Sequence, residues 1–209
     1  KQVTMKQATG KTDSRPNVKK VSIQLALDGH SFSIVGGQGI LPEATVKVEI
    51  LTTRTLLVPE ELFDSQQAAT LLAADGKAPL SGETIVWSHP HNGVIAVMTA
   101  PSQALQQVHS YFDADTDVEY ITPLLVDLRP SKPTFLLQSI AGYLYIKIYN
   151  AGLRLAEVLP TPTETDIRYV LERLDNTFPT RQYALRTAGK EACRLAKLVS
   201  NRFRSVRCE

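Results

Sequence analysis

A stretch near the start of the chain, LALDGHSFSIVG at residues 25–36, places an acidic residue and a hydroxyl beside a glycine. Polyphosphate binding needs close approach of backbone amides, which glycine permits, and an oxygen ligand for the accompanying Mg²⁺. Asp28, Gly29 and Ser31 could supply those groups. Apolar and polar residues alternate on both sides of Asp-Gly, which is the pattern of a β-hairpin. We therefore predict a hairpin turn at Asp28-Gly29, with phosphate binding as the alternative.

Two further groups of residues could bind metal ions. His89 and His91 would share one face of a strand, but no third ligand is evident and Pro90 favours a turn or sheet edge. Acidic residues cluster in a predicted helix-to-strand loop: Asp113, Asp115, Asp117 and Glu119. A two-metal nuclease needs carboxylates that converge from several strands, and the strand expected at residues 134–141 contains none. We predict neither a metal site nor catalytic residues.

Basic residues near the end of the sequence follow helical spacing, opposite an apolar stripe. The predicted basic patch consists of Lys190, Arg194, Lys197 and Arg204. Two interpretations remain open, a solvated helix face or a docking surface for an acidic protein, a lipid headgroup or nucleic acid. Aromatic residues that could stack on bases are sparse in this region, so a nucleic-acid partner is not expected.

The composition is that of a globular protein, with 43% hydrophobic and 21% charged residues. No apolar run approaches the roughly 18–20 residues that cross a bilayer. Residues 1–20 lack the apolar segment of a signal peptide. Cys193 and Cys208 fit no zinc or redox motif, and their apolar neighbours favour buried, reduced thiols. We expect a cytoplasmic protein.

The first half of the chain, after a basic arm at residues 1–20, reads as strands and helices close to the order βββαβαβ, with one extra hairpin strand. Alternating and helical spacings predict strands 21–27, 31–35, 44–51 and 55–58, a helix from Pro59 to Gly76, strands 83–90 and 94–100, a helix at 101–112 and a strand at 118–122.

The second half reads βββαβαβ. The spacings predict strands 134–141, 143–152 and 153–159, a helix after residue 160, a strand at 182–187, a helix at 189–201 and a strand at 203–208. For the first of these helices we predict a capping box, with Thr161 as the cap and Glu164 reaching back. Its buried seam is expected at Ile167, Val170, Leu171, Leu174 and Phe178.

Two βββαβαβ units in tandem predict an α/β protein with two ribonuclease-H-like lobes, which is the actin-like ATPase architecture. We expect the first lobe at residues 21–128 and the second at residues 129–209, with a cleft between them.

Three motifs add a resemblance to this prediction: VSIQLALDGHSFSIV, TLLVPEELF and TPTETDIRYVLERL. Together they resemble an uncharacterised bacterial protein family of unknown function with an actin-like ATPase fold, over residues 21–209. The last motif of that family carries an acidic residue, an aromatic residue and a helical run, which Glu164, Asp166 and Tyr169 match here. The resemblance implies the fold and no particular activity.

The actin-like fold also implies where a nucleotide would bind. Such ATPases hold ATP between two β-hairpins, each with an Asp nearby, and a Gly-Gly motif flanks the adenosine. Asp28-Gly29 matches loosely, because a residue normally separates the two. The second-lobe turn has Gly142 but no carboxylate, and Gly189 stands alone where two glycines are expected. One weak match in three indicates a degenerate site.

We therefore expect a non-catalytic actin-like scaffold that needs no cofactor and binds a protein partner. Distant actin-like relatives in pilus and secretion platforms point to a cell-envelope assembly as that partner, by analogy of fold. The alternative is an enzyme that binds or hydrolyses Mg-ATP at an unorthodox site between the lobes. The missing second-lobe carboxylate argues against it.

Overall fold

The computed structural model describes residues 19–26, 29–35, 46–110, 112, 116–126 and 130–209, with side chains from residue 46 onward. Asp28, nearly all of the predicted arm and the predicted lobe boundary at residues 128 and 129 lie outside the described residues. Within the described residues, no helix is long and apolar enough to cross a membrane.

The described elements alternate between strands and short helices. The strands are β1 (Lys19–Ala26), β2 (Gly29–Val35), β3 (Val46–Leu51), β4 (Thr55–Pro59), β5 (Glu83–Trp87), β6 (Val94–Pro101), β7 (Val118–Ile121), β8 (Thr134–Ile140), β9 (Tyr143–Tyr149), β10 (Leu153–Pro160), β11 (Ala184–Ala188) and β12 (Ser205–Cys208). The α-helices are α1 (Ala68–Ala74), α2 (Ser102–Ser110), α3 (Glu164–Asp175) and α4 (Ala192–Val199).

The second half forms one five-stranded sheet with the order β10-β9-β8-β11-β12. β8, β9 and β10 make an antiparallel meander, whereas β11 runs parallel to β8 and β12 runs parallel to β11. α3 and α4 are the crossovers that this pairing requires, because a parallel strand has to start from the opposite end of the sheet. The predicted βββαβαβ order of this half is confirmed.

The first half divides its strands between two sheets, which corrects the prediction of a single βββαβαβ sheet. In the four-stranded sheet, of order β2-β1-β3-β7, β3 pairs parallel with both β1 and β7. β3 is therefore a central strand of this sheet. Val46, Val48 and Ile50 are completely buried, and a central strand covers such side chains better than an edge strand beside β2 would.

β4, β6 and β5 form a separate three-stranded antiparallel sheet. α1 packs on it in a buried cluster of Val58, Ala68, Leu72, Ile95 and Val97. The helix predicted from Pro59 onward begins later, because Pro59 is the last residue of β4 and 3-10 turns at Glu60–Leu62 and Ser65–Gln67 precede α1. All three strands were predicted from the sequence, but their assembly into a separate sheet was not.

α3 begins at a capping box, but the cap is Thr163 rather than the predicted Thr161. Thr163 Oγ1 accepts a hydrogen bond from the Asp166 N–H (3.2 Å), and Asp166 Oδ2 accepts one from the Thr163 N–H (2.9 Å). The apolar seam of α3 is confirmed, with two buried and three partly buried members, Ile167 and Leu171, and Val170, Leu174 and Phe178.

Side chains of the two halves pack against each other near the ends of β3 and β9. The shared buried cluster consists of Leu51, Leu124, Tyr143, Tyr145 and Val158. Beside it, Lys77 Nζ lies 2.8 Å from Glu157 Oε1 and donates a hydrogen bond to the Thr55 carbonyl (3.0 Å). Burial, reinforced by the Glu49 carboxylate, raises the pKa of Tyr145 far above its ordinary value, so this hydroxyl stays neutral.

Candidate functional site

The β8–β9 hairpin ends in a two-residue turn, Ala141-Gly142, closed by the pair Ile140–Tyr143. Both turn residues have positive φ, 50° and 77°, which is the combination found in a type I′ turn. The turn places Gly142 at the end of the second-half sheet, where the nucleotide hypothesis needs it. Within the β8–β9 hairpin itself, the residues next to the turn offer a hydroxyl at Ser139 but no carboxylate.

The β1–β2 hairpin holds the first-half candidates. Ala26 pairs with Gly29, and the two residues between them in the sequence, Leu27 and Asp28, lie outside the described residues. Gly29 is the first residue of β2, so its predicted position within the turn is wrong. Ser31 lies within β2.

The ends of the two hairpins approach one region of the molecule. Gln24, near the end of β1, pairs with Leu51 at the end of β3. Leu51 belongs to the same buried cluster as Tyr143, the residue that follows Gly142. The fold therefore directs the end of β1 and the Ala141-Gly142 turn toward each other, as a nucleotide between two lobes would require.

Gly189 lies just after β11, beside β8. Its φ is 87°, and a Cβ built on it would lie 3.1 Å from Nε2 of Gln138. Only glycine adopts this backbone conformation without strain, and the close approach leaves little room for a side chain. Packing of β11 against β8 thus explains Gly189 without any nucleotide.

A pocket of about 210 Å³ opens beside Gly142, between α3 and α4, and its charged residues are Glu164, Glu191 and Arg194. Arg194 Nη2 lies 2.9 Å from Glu164 Oε1, and Nη1 lies 3.3 Å from Glu191 Oε2. Hydrogen bonding and charge from Glu164, followed by those from Glu191, raise the pKa of Arg194. One guanidinium is therefore matched by two carboxylates, and we refer to these three residues as the acid–arginine cluster.

The start of α3, which also lines this pocket, is poorly suited to an anion. Helix N-termini attract anions through their free amides and the helix dipole. In α3 the capping box engages Thr163 and Asp166, and Asp166 Oδ2 accepts a further bond from Thr163 Oγ1 (2.7 Å). Glu164 and Asp166 both place negative charge in the first turn. A phosphate entering here would meet carboxylates.

The predicted basic patch is divided by the fold. Arg194 and Lys197 lie on α4, whereas Lys190 precedes this helix and Arg204 follows it. Because α4 connects the end of β11 to the start of β12, Lys190 and Arg204 lie at opposite ends of these parallel strands. Arg194 is also paired with two glutamates. The patch is consequently a less concentrated positive surface than four cations on one helix would be.

The metal candidates that the structure describes, His89, His91, Asp117 and Glu119, belong to no group of three or more possible ligands. Neither His89 nor His91 lies in a paired strand segment, and His91 forms only an isolated β-bridge between β5 and β6. In the acidic group, Glu119 Oε2 pairs with Lys47 Nζ at 2.8 Å, and residues 113–115 lie outside the described residues. Among the residues that the structure describes, no group of three or more His, Cys, Asp or Glu could hold a metal ion.

The cysteines are both exposed, which corrects the prediction of buried thiols. Apolar neighbours in the sequence are a poor guide here, because Ala192 is buried while Cys193 takes the next position around α4, toward solvent. Cys208 lies on β12, whose residues are all exposed.

Sequence reasoning missed a cavity of about 370 Å³ between the two halves. Leu57 and Leu153 contribute apolar wall from either half, and Lys147 contributes a polar group. Lys147 is buried, and its Nζ donates a hydrogen bond to the Val126 carbonyl (2.7 Å). The cavity lies at the end of β9 remote from Gly142. A lysine within the apolar run YLYIKIY was the available signal.

Comparisons with known proteins place this geometry in a wider context. No family model matches the chain, and no curated protein matches it. A crystal structure from Bacteroides thetaiotaomicron VPI-5482, a protein with an actin-like ATPase fold and unknown function, matches with a TM-score of 0.65 at 13% identity, covering 96% of this chain and 94% of that chain.

Two further solved structures match less well. The cytoplasmic domain of EpsL, an inner membrane component of the type II secretion system of Vibrio cholerae, has a TM-score of 0.40 at 11% identity and 81% coverage of both chains. An Aquifex aeolicus member of the Ppx/GppA family has a TM-score of 0.33 at 14% identity, with 88% of this chain and 69% of that chain covered. TM-scores this low support no conclusion about function.

The match to the Bacteroides thetaiotaomicron protein extends over nearly all of both chains and shows the fold. This chain has the actin-like ATPase fold, as the order of its elements predicts. Identity of 13% carries no information on activity.

Proposed function

We propose that this chain is a non-catalytic, cytoplasmic actin-like protein with a degenerate nucleotide site, and that it acts by binding a protein partner. The observation that carries the proposal is the acid–arginine cluster beside Gly142. Arg194 is the cation best placed to meet a phosphate in this pocket, and Glu164 and Glu191 already engage it.

Electrostatics oppose an anionic ligand at this position. Two carboxylates and one guanidinium leave the cluster with net negative charge, and Mg-ATP is itself an anion. A phosphate that bound Arg194 would displace Glu164 or Glu191 and remain close to both. The phosphate and the carboxylates would repel each other, although solvent screens this repulsion because the three side chains are half exposed or more. Arg194 also occupies a carboxylate oxygen of each glutamate, which reduces their use as Mg²⁺ ligands.

Exposed apolar side chains on the edge of the three-stranded sheet and on the 3-10 turn after β4 support binding to a protein. Leu62 is 69% exposed and Trp87 is 41% exposed. The Trp87 ring packs against Phe63, with ring centroids 5.8 Å apart. Exposed apolar groups of this kind mark interaction sites, and Trp is enriched among interface anchors. We propose that this apolar surface, Leu62, Phe63 and Trp87, contacts the partner.

The partner on this proposal is a protein that inserts an apolar side chain against Trp87. A component of a cell-envelope assembly is the partner class that we propose. This class rests on the analogy with distant actin-like proteins of pilus and secretion platforms, and on no contact within this chain.

Titration with Mg-ATP tests the degenerate site. We expect no heat of binding in calorimetry and no phosphate release, for the unmodified chain and for an Asp28→Asn variant alike. Micromolar binding that Asp28→Asn abolishes would overturn the proposal and establish the ATP-dependent enzyme instead.

Site-specific crosslinking in cells tests the protein-binding role. A photoreactive residue at position 62 should capture a defined partner, and Trp87→Ala should remove that product because it removes the anchor ring. Tyr169→Ala is the matched control, since Tyr169 is an exposed aromatic residue (62%) on α3. Capture that persists in Trp87→Ala but disappears in Tyr169→Ala would contradict the assigned surface.

A further inference from the structure

The fold brings the two cysteines of the chain together. Cys193 lies in the first turn of α4, Cys208 is the last residue of β12, and α4 packs beside β12. Cys208 is also the main influence on the pKa of the Cys193 thiol. Both side chains are exposed. Two neighbouring exposed thiols differ from a lone surface cysteine, because the two sulfurs can react with each other.

Thr187 on β11 fixes this proximity. It pairs with Cys208 on the neighbouring parallel strand, so the two side chains lie on the same face of the sheet. Thr187 is completely buried, and its Oγ1 donates a hydrogen bond to the Ala192 carbonyl at 2.8 Å. Ala192 directly precedes Cys193. One buried residue therefore ties the start of α4 to the end of β12.

We propose that Cys193 and Cys208 are a reversible dithiol–disulfide pair, oxidised by a small disulfide of the glutathione class, and that the disulfide fixes β12 to α4. This modification site is independent of whether the pocket beside Gly142 binds a nucleotide.

The reaction proceeds by two thiol–disulfide exchanges. The Cys208 thiolate attacks one sulfur of glutathione disulfide, which breaks the S–S bond of glutathione, forms a mixed disulfide and releases one glutathione thiolate. Cys193 then loses its proton to solvent, and its thiolate attacks the Cys208 sulfur and releases the second glutathione. Two protein thiols are oxidised to one disulfide, and one glutathione disulfide is reduced to two glutathione molecules.

The surroundings of Cys193 include one cation that is not part of the acid–arginine cluster, Lys197. The hydrogen bond to Cys208, followed by partial desolvation and the charge of Cys208, raises the pKa of Cys193, against the opposing effect of Lys197. A shallow groove beside Cys193 is lined by Lys197 and by the Arg194–Glu164 pair. Lys197, one helical turn from Cys193, can contact a glutathione carboxylate.

A redox titration of the folded full-length chain tests the proposal. The chain is equilibrated with mixtures of glutathione and glutathione disulfide, alkylated, and analysed by intact mass. We expect both thiols to disappear together, with the loss of two hydrogens and no retained glutathione. Cys193→Ser and Cys208→Ser should each retain one glutathione, at about tenfold more glutathione disulfide, because they lack an intramolecular second thiol. Retained glutathione on both wild-type cysteines, or disulfide-linked dimers alone, would overturn the proposal.

Thermal unfolding tests the attachment of β12. A disulfide that closes the short loop from α4 to β12 restricts the unfolded chain, so oxidation should raise Tm by roughly 6 °C or more, reversibly with reductant. The same treatment should leave Tm of Cys193→Ser unchanged. An oxidised wild-type chain whose Tm equals that of the reduced chain would overturn the claim that the bond fixes β12.

Discussion

The two halves of the chain contain similar elements in a similar order and assemble them differently. The second half places all of its strands in one sheet, with α3 and α4 packed into a single buried cluster. The first half uses two sheets and two clusters, one shared by β3, β5, β6 and α2 and the other by the three-stranded sheet and α1. The same list of elements is therefore compatible with more than one arrangement of sheets.

Burial of β6 on both faces accounts for the different sheet arrangement of the first half. β6 is buried along nearly its whole length, because its sheet is covered on one face by α1 and on the other by the four-stranded sheet. β10 is an edge strand with an exposed start. A strand with apolar residues on both faces is stable where layers cover both faces. A strand with one polar face can lie at the edge of a sheet, where that face contacts solvent.

The largest expected effect comes from the core of the second half. Leu171→Ala should lower the free energy of unfolding by about 2–5 kcal/mol, because Leu171 is completely buried under the five-stranded sheet and its removal leaves a cavity. Leu72→Ala in the first half should cost less within the same range, since its cluster is smaller and can collapse more readily. Urea denaturation of both variants measures the two values.

Tyr169→Ala on the same helix is the control for Leu171→Ala, and it should change stability by less than about 0.5 kcal/mol because Tyr169 is exposed. A greater loss for Leu72→Ala than for Leu171→Ala would contradict the proposed ranking of the two cores.

The positions of strands and helices were easier to predict than the pairing of the strands. The short apolar runs of β8, β9 and β10 and the helical spacing of the α3 seam are local patterns, which depend on residues close in sequence. The parallel pairing of β3 with β1 depends on which strand becomes central, and that is decided by residues far apart in sequence. The length of α1 was overestimated, because Pro59 also suits the end of an edge strand.

The glycines of the candidate site could be selected from the sequence, whereas the charged residues beside them could not. Gly142 and Gly189 were selected from the nucleotide-binding pattern that the actin-like fold implies, and both adopt positive φ. The ion pair between Arg194 and Glu164 joins α4 to α3, and β11 separates these helices in the sequence. No local sequence pattern predicts such a pair. The contact between Cys193 and Cys208 likewise arises from strand pairing at Thr187.

Gly189→Ala compares a tightly packed glycine of the second half with an unpacked glycine of the first half. We expect a loss of about 2–4 kcal/mol in stability, because the new Cβ requires a disfavoured φ and meets Gln138. Gly76→Ala in the first half is the matched control, with a φ of 69° and no atom within 4 Å of a built Cβ, so it should cost about 1 kcal/mol. Equal losses in chemical denaturation would show that packing of β11 on β8 adds nothing at Gly189.

Lys77→Ala tests the contact between the halves. It removes ion pairs with Glu157 and Asp75 and a hydrogen bond to the Thr55 carbonyl, so we expect a loss of about 2 kcal/mol at pH 7. Lys47→Ala, which breaks a pair with Glu119 inside one sheet, should cost no more than about 1 kcal/mol.

The pH dependence of the Lys77 contribution follows from its pKa. Burial alone lowers the pKa of Lys77, but hydrogen bonds and charge from Asp75 and Glu157 raise it above its ordinary 10.5. Because the folded-state pKa is the higher one, this contribution is complete below pH 10.5 and is lost as the pH rises through the folded-state value. A wild-type advantage over Lys77→Ala that disappeared already at neutral pH would contradict the assigned pair.

The smallest expected effect concerns two aspartates that hold local turns, one in each half. Asp175 Oδ1 accepts hydrogen bonds of 2.6 Å from both the N–H and the Oγ1 of the buried Thr180, whereas Asp64 accepts a single bond of 2.9 Å from the exposed Gln66. Asp175→Asn should therefore cost about 1 kcal/mol at pH 7, a value limited by solvent screening, and Asp64→Asn should cost less.

The hydrogen bonds from Thr180 lower the pKa of Asp175 below its ordinary 3.8. A depressed folded-state pKa contributes stability above pH 3.8 that is lost as the pH falls through the folded-state value. Urea denaturation between neutral pH and pH 3 should show the wild-type advantage over Asp175→Asn shrinking only at the acidic end, and an advantage that stayed constant throughout would exclude a charged Asp175 as the source of this stability.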